Sequence, residues 1–155
     1  MIITTGKHSR PLGIPGEKEL AVEGVKDYGI RYYGIPAGYE FTSLIEDIVD
    51  VSRRSSSLSE QTRNQLKTIS EPVHIQVFVS LTCPYCPPAV RLAHALALEC
   101  EYYRANMIEI SEFVQLAQKY KVLSVPKTVI NEKINIEGAL PESAFVAKVM
   151  EATGD

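Results

Sequence analysis

The sequence contains no tryptophan, only three cysteines and only three histidines, and the scarcity of the last two removes two classes of protein. Three cysteines, two of them in a single C-x-x-C, cannot build the multi-bridge framework that holds small secreted domains together. Without a second C-x-x-C or an H-x-x-H, no regular spacing supplies the four ligands of a structural zinc site. Charge of neither sign dominates: 16 basic and 19 acidic residues leave a net charge of −3. That balance offers no electrostatic footprint for nucleic acid or an anionic membrane, so neither is expected as a partner. No uninterrupted apolar run is long enough to span a bilayer. The opening Met1-Ile-Ile-Thr-Thr-Gly6-Lys7 meets a glycine and a lysine before a signal-type apolar region develops, and a cytoplasmic location is expected. What remains is ample for one domain with an ordinary core and a fragment of another: 155 residues, 45% of them hydrophobic.

The run Arg53-Arg54-Ser55-Ser56-Ser57 interrupts the apolar pattern and divides the chain into residues 1–55 and 56–155. In the second part, Ser57-Leu-Ser-Glu60 has capping-box spacing, and a helix with Thr62, Leu66 and Ile69 on one side follows. Glu71-Pro72 ends it, because proline disfavours the helical region in the residue before it. Ile75-Gln-Val-Phe-Val79 is a short β-branched run suited to a central strand. A second helix is expected to start within Cys83-Pro84-Tyr85-Cys86 and to carry Ala89, Leu92, Ala93, Leu96 and Cys100 on one face. Tyr103 to Ile108 reads as a strand, and Ser111 as the cap of a helix bearing Phe113, Leu116, Ala117 and Tyr120. Lys127–Ile130 and Lys133–Glu137 form a hairpin through Asn131-Glu132, and Pro141 opens a last helix with Phe145, Val149 and Met150. A parallel crossover combined with an antiparallel hairpin requires a mixed sheet.

The front of the chain echoes the back. Gly34 corresponds to Gly138 and Phe41 to Phe145, each phenylalanine seven residues after its glycine. Each glycine ends a strand-like stretch, Gly29 to Tyr33 or Lys133 to Glu137. Each phenylalanine opens an amphipathic helix, the first carrying Phe41, Leu44, Ile45, Ile48 and Val49. Residues 1–55 are therefore expected to hold the last strand and helix of an earlier unit plus a linker. Residues 1–25 look too few for a strand–helix–strand. Such a remnant is marginal alone, so it should either extend the sheet of the second part or pair with its copy in a homodimer, the dimer being favoured.

The C-x-x-C carries the chemistry. A helix N-terminus presents unpaired N–H groups and the positive end of the macrodipole, which favour a thiolate. The thiolate is the nucleophile of disulfide exchange. Pro84 suits a first helical position. On this reading Cys83 attacks and Cys86, one turn inside, resolves the mixed disulfide. On spacing alone two alternatives stay open: a metal held by the pair with Cys100, His74, His94 or His8, and a vestigial pair. Cys100 reads as a packed thiol, His94 as a structural histidine rather than a base, and Tyr32, Tyr33 and Tyr39 as core or interface residues.

The element order, helix, βαβ, helix, hairpin, helix, is that of the thioredoxin fold. Thr82-Cys-Pro-Tyr-Cys86 resembles the glutaredoxin active-site sequence. Cys83-Pro-Tyr-Cys-Pro-Pro-Ala-Val-Arg91, Ser124-Val-Pro-Lys127 and Arg31-Tyr-Tyr-Gly-Ile-Pro-Ala-Gly-Tyr-Glu-Phe41 together resemble the tandem protein disulfide oxidoreductases of thermophilic archaea and bacteria. The likeness runs from about Lys26 to Ala152. It implies an α/β thioredoxin fold with a complete domain over 56–155, preceded by a truncated first unit. It also implies Cys83 as nucleophile, Cys86 as resolving thiol, and a cis Val125–Pro126 bond facing the pair. Pro84, Tyr85, Val125 and Pro126 would then contact an extended substrate. The redox-active disulfide Cys83–Cys86 would replace any other cofactor, and no metal would be held. Partners would be protein disulfides and a thioredoxin-reductase-like electron donor.

The chain departs from the tandem oxidoreductases, from thioredoxin itself and from glutaredoxins at one point each, in that order. It lacks the first unit's own strand–helix–strand. No buried acid precedes the pair in Val77-Phe78-Val79. Glu137-Gly-Ala-Leu-Pro141 stands where glutathione-using members carry Gly-Gly and Asp. Three functions therefore compete: a general protein dithiol–disulfide oxidoreductase, a dedicated electron carrier to a peroxiredoxin-type partner, and a non-catalytic binding or metal protein.

Overall fold

The computed structural model describes residues 2–5 and 19–154. The described residues form a single mixed sheet of seven strands. They are β1 (Ile2–Thr5), β2 (Glu19–Glu23), β3 (Ile30–Tyr33), β4 (Val73–Val79), β5 (Tyr103–Glu109), β6 (Lys127–Ile130) and β7 (Ile134–Glu137). Their order across the sheet is β1-β2-β3-β5-β4-β6-β7. The helices are α1 (Glu40–Arg53), α2 (Glu60–Leu66), α3 (Cys86–Glu99), α4 (Val114–Lys119) and α5 (Glu142–Thr153). This is the mixed α/β arrangement expected from the element order.

The three central strands β3, β5 and β4 run parallel. Buried on both faces, they alternate between two cores. Ile75, Val77, Val79, Ala105 and Met107 point into the larger core with α2, α3 and α5. Phe78 and Ile108 point the other way, under Phe113 and Leu116 at α4. The hairpin joining β6 to β7 turns as expected through Asn131 and Glu132, both left-handed at φ 50° and 60°.

Several local expectations are corrected. The first 25 residues contain two strands, β1 and β2, paired antiparallel with each other and with β3. Segment 1–55 extends the sheet, because β3 pairs with β5. Ser59, not Ser57, caps α2: its hydroxyl accepts from the Thr62 N–H, and Ser59 and Thr62 both donate to Glu142 at the start of α5. Ser111 does not cap α4; its N–H and hydroxyl bind Glu109 instead. Pro84 lies in the turn before α3, which opens with Cys86 followed by Pro87 and Pro88. Gly34 and Gly138 do share positive φ, 97° and 82°. The matched phenylalanines differ: Phe145 is buried and Phe41 is exposed. The face of α1 turned inward is Glu40, Ser43, Asp47 and Val51. On the neighbouring helix, Arg91 and His94 give Asp47 its partners.

Candidate active site

The two cysteines of the C-x-x-C lie where β4 ends and α3 begins. A tight turn joins them: the Cys83 N–H donates to Ser80 O at 3.3 Å and the Cys86 N–H to Cys83 O at 3.4 Å. Both are free thiols. Cys83 keeps 9% of its surface accessible and Cys86 keeps none. The exposure is graded, with Cys83 reaching the surface and Cys86 enclosed in the core. Pro84 and Tyr85 stand outward beside them, Tyr85 as an exposed ring.

The Val125–Pro126 bond is cis. The loop brings its backbone against the pair, with Cys83 Sγ 3.8 Å from Val125 O. The Pro126 carbonyl is tied down by the Gly138 N–H at 2.9 Å. Of the six residues expected to form the site, Cys83, Pro84, Tyr85, Val125 and Pro126 lie in these two adjacent loops, and Cys86 is the first residue of α3.

A third loop, from the front segment, completes the enclosure. The Tyr39 N–H donates to Leu81 O at 3.1 Å. Gly38 lies so close that a Cβ there would come within 2.4 Å of the same carbonyl, and its φ is +56°. Only glycine fits that approach. Residues before the linker thus fix the loop that carries Cys83.

Burial is the main reason that the Cys86 thiol lies well above an ordinary cysteine, and the Cys83 side chain adds to the rise. The negative charge of Glu40 contributes in the same direction, which places that carboxylate within electrostatic reach. Glu40 is wholly buried, and burial raises its carboxyl to about 7. Ser43 and His94 oppose the rise, but neither Glu40 oxygen nor Ser43 Oγ has hydrogen-bond geometry with a described residue.

Behind Glu40 lies a buried polar seam between α1 and α3. His94 Nδ1 is 2.5 Å from Asp47 Oδ2. Asp47 also accepts from the Tyr32 hydroxyl and from Arg91. Arg91 reaches outward to Glu46 at 2.8 Å and Asp50 at 2.5 Å. Glu40 and Asp47 were not among the sequence candidates. The available signal was the i, i+3, i+7 spacing of Glu40, Ser43 and Asp47 on one helix.

The residues weighed as metal ligands are dispersed. Cys100 packs at the far end of α3, its Sγ 4.0 Å from Leu66 O. His74 meets Asn106 at 2.8 Å, and His8 lies outside the described residues. Among the described residues no three His, Cys, Asp or Glu side chains gather as a metal site.

A family model for the thioredoxin domain matches residues 73–151, which is 79 of the 155 residues. The chain belongs to the thioredoxin-domain family. The match spans β4 to most of α5, with the cysteine pair and the Val125–Pro126 loop inside it. Two solved structures share the larger fold, front segment included. A protein disulfide oxidoreductase from Aeropyrum pernix K1 is 35% identical with a TM-score of 0.81, over 87% of this chain and 59% of that one. The alkylhydroperoxide reductase protein AhpF of Enterococcus faecalis (V583), a C503A mutant, is 27% identical with a TM-score of 0.81, over 88% of this chain and 66% of that one. Among curated proteins, an alkyl hydroperoxide reductase subunit of Pseudomonas aeruginosa is 28% identical over 123 residues, 79% of this chain and 24% of that protein. An NADH dehydrogenase of Bacillus subtilis (strain 168) is 27% identical over 128 residues, 83% of this chain and 25% of that protein. This chain therefore spans about a quarter of the length of the curated relatives it matches.

Proposed function

We propose that this thioredoxin-domain protein is a protein dithiol–disulfide oxidoreductase working through Cys83 and Cys86. The observation that carries the reading is the stacking of one barely accessible thiol over one buried thiol, beside a buried carboxyl near neutrality. In the reducing direction the Cys83 thiolate attacks a substrate disulfide. A bond forms from Cys83 Sγ to one substrate sulfur, and the other leaves as a thiolate. Cys86 then gives its proton to Glu40, and its thiolate attacks Cys83 Sγ. The Cys83–Cys86 disulfide forms and the substrate leaves with the electron pair as a second thiolate, taking a proton from solvent. Two electrons pass from protein to substrate, and a dithiol donor restores the pair. The cysteines are themselves the redox group, with no further cofactor in the scheme.

Val125 and Pro126, with Pro84 and Tyr85, form the lip against which an extended substrate segment would lie. Residues 56–155 act as the catalytic unit. Residues 1–55 supply Glu40 and the Gly38 contact. A thioredoxin-reductase-like protein could serve as the dithiol donor. Self-association would use the outer stripe of α1, where Phe41, Ile45 and Val49 are exposed. A second reading, electron delivery to a peroxide-reducing partner, is favoured by the alkyl hydroperoxide reductase proteins among the relatives.

Insulin reduction driven by dithiothreitol tests the first reading. Cys83→Ser and Cys86→Ser should each abolish turnover, and Cys100→Ser should leave it nearly unchanged. Turnover that survives the loss of Cys83 would refute the assignment. Turnover of a peroxide-reducing partner far faster than that of insulin would favour the second reading.

A further inference from the structure

The seam between α1 and α3 is an unusual interior. His94 and Asp47 are each about 1% exposed, yet both are polar, and Tyr32 packs edge-on against the imidazole with ring centroids 4.9 Å apart. Asp47 accepts at Nδ1 of His94, so that nitrogen carries a proton and the other, Nε2, is left as the basic position. Nε2 is buried and has no protein partner among the described residues. Nor do both oxygens of Glu40 and the Ser43 hydroxyl, on the adjoining turns of α1. Buried polar atoms are almost always satisfied, so four neighbouring exceptions mark a place with a role. Along the two helices, the charge of Glu40 reaches Cys86, and Asp47 contacts His94 two turns further along. Ser43 lies between the two acids on the same face.

We propose that His94, oriented by Asp47, is a positioning residue that acts through Glu40 and sets the pH range over which Cys86 can resolve a mixed disulfide. The inference rests on the dithiol reading above. In the resolving step the Cys86 proton passes to the Glu40 carboxylate. It is then shared with His94 Nε2 through the Ser43 hydroxyl or one bridging water. The imidazolium so formed faces the Asp47 carboxylate. The electron pair left on Cys86 Sγ forms the bond to Cys83 Sγ as the bond from Cys83 to the substrate sulfur breaks. The charged and titratable groups facing this centre are Glu40 and Asp47 from α1, Tyr32 from β3, and Cys86 and Arg91 from α3. Arg91 is in turn held by Glu46 and Asp50. It neutralises Asp47 from the solvent side, and the protonatable nitrogen faces inward.

The test follows the two half-reactions separately. Reduced protein with Cys100→Ser is mixed with 5,5′-dithiobis(2-nitrobenzoate). Attack by Cys83 releases one coloured thiolate, and resolution by Cys86 releases a second. In His94→Gln the first release should be unchanged. The second should slow about tenfold at pH 7, with its midpoint about one pH unit higher, because Glu40 must then hold the proton unaided. An unchanged midpoint for the second release overturns the proposal. The reciprocal effect is read without altering His94: the ring-proton NMR titration of His94 should move in Glu40→Gln. A titration that does not move also overturns it. If the unsubstituted pair releases only one thiolate, the dithiol reading itself fails, while the NMR arm still reports on the coupling.

Discussion

Glu40 is the residue whose placement conflicts most plainly with stability. Burial raises its carboxyl to about 7, chiefly by making the charged form costly. A group raised in the folded state gives its full stability below its ordinary value, ~4.3, and loses it as pH rises through the folded one. Ionising Glu40 therefore costs roughly 3 kcal/mol above pH 7, an upper figure because the site relaxes. Glu40→Gln should raise the melting temperature by several degrees at pH 8 and leave it almost unchanged at pH 4. The same variant should slow disulfide resolution. Thermal unfolding across pH checks the first part. A variant that melts at the same temperature as the parent at pH 8 would mean that the carboxylate is solvated. Cys86 points in the same direction as a stability argument: its thiol is raised mainly by burial, so it stays protonated until a base takes the proton.

Among the elements, two glycines in the same left-handed region separate strain from contact. Gly38 has φ +56° and no room for a Cβ beside Leu81 O; Gly138 has φ +82° and nothing within 4 Å. Alanine at either position should cost about 1–2 kcal/mol of backbone strain. Only Gly38→Ala should also displace the Leu81–Cys83 loop and lower the rate of thiol exchange, by tenfold or more. Equal loss of activity in both variants would show that the Leu81 contact does not position the pair. What the sequence made legible follows the same division. β4 was readable from its β-branched run, the hairpin from the two strand-like stretches around Asn131 and Glu132, and helices α3 and α5 from apolar side chains at the helical period. The inward face of α1 was not. Phe41, Leu44, Ile45, Ile48 and Val49 form the apolar stripe, yet Glu40, Ser43 and Asp47 are buried, and the partners of Asp47 sit 44 and 47 residues further along, at Arg91 and His94. Ser57 and Ser111 failed as caps for a similar reason. Ser59 is held by Glu142 from α5, and Ser111 is held by Glu109. Periodicity reports a segment's own pattern; a polar contact made across the fold leaves no period. The cysteine pair was legible because its chemistry is local.

In the whole molecule, the front segment is joined to the rest by backbone pairing, by the α1–α3 seam and by a pinned linker. Glu99 accepts from the Ser56 N–H at 3.0 Å and from its hydroxyl at 2.7 Å, and Arg63 lies against the same oxygen. Removing residues 1–55 would expose the β5 edge and strip α3 of Asp47, leaving Arg91 and His94 without their acid. A protein of residues 56–155 should therefore melt well below the full chain, resolve mixed disulfides more slowly, and associate through its bare strand edge. Light scattering and thermal unfolding on both forms measure this. Equal stability would make the front segment dispensable. On the full chain the same light scattering tests self-association through α1: a dimer that Phe41→Ser dissociates supports it, and a monomer at every concentration removes it.

The most direct test of the account is to catch the intermediate. Cys86→Ser protein, mixed with an oxidised protein substrate and quenched with acid, should accumulate a mixed disulfide, and peptide mapping should place it on Cys83. The resolving step has no thiol to complete it, so the adduct should persist for as long as no other thiol is added. An adduct on Cys100, or none on Cys83 while Cys83→Ser traps the same substrate, would contradict the assignment of Cys83 as the attacking thiol.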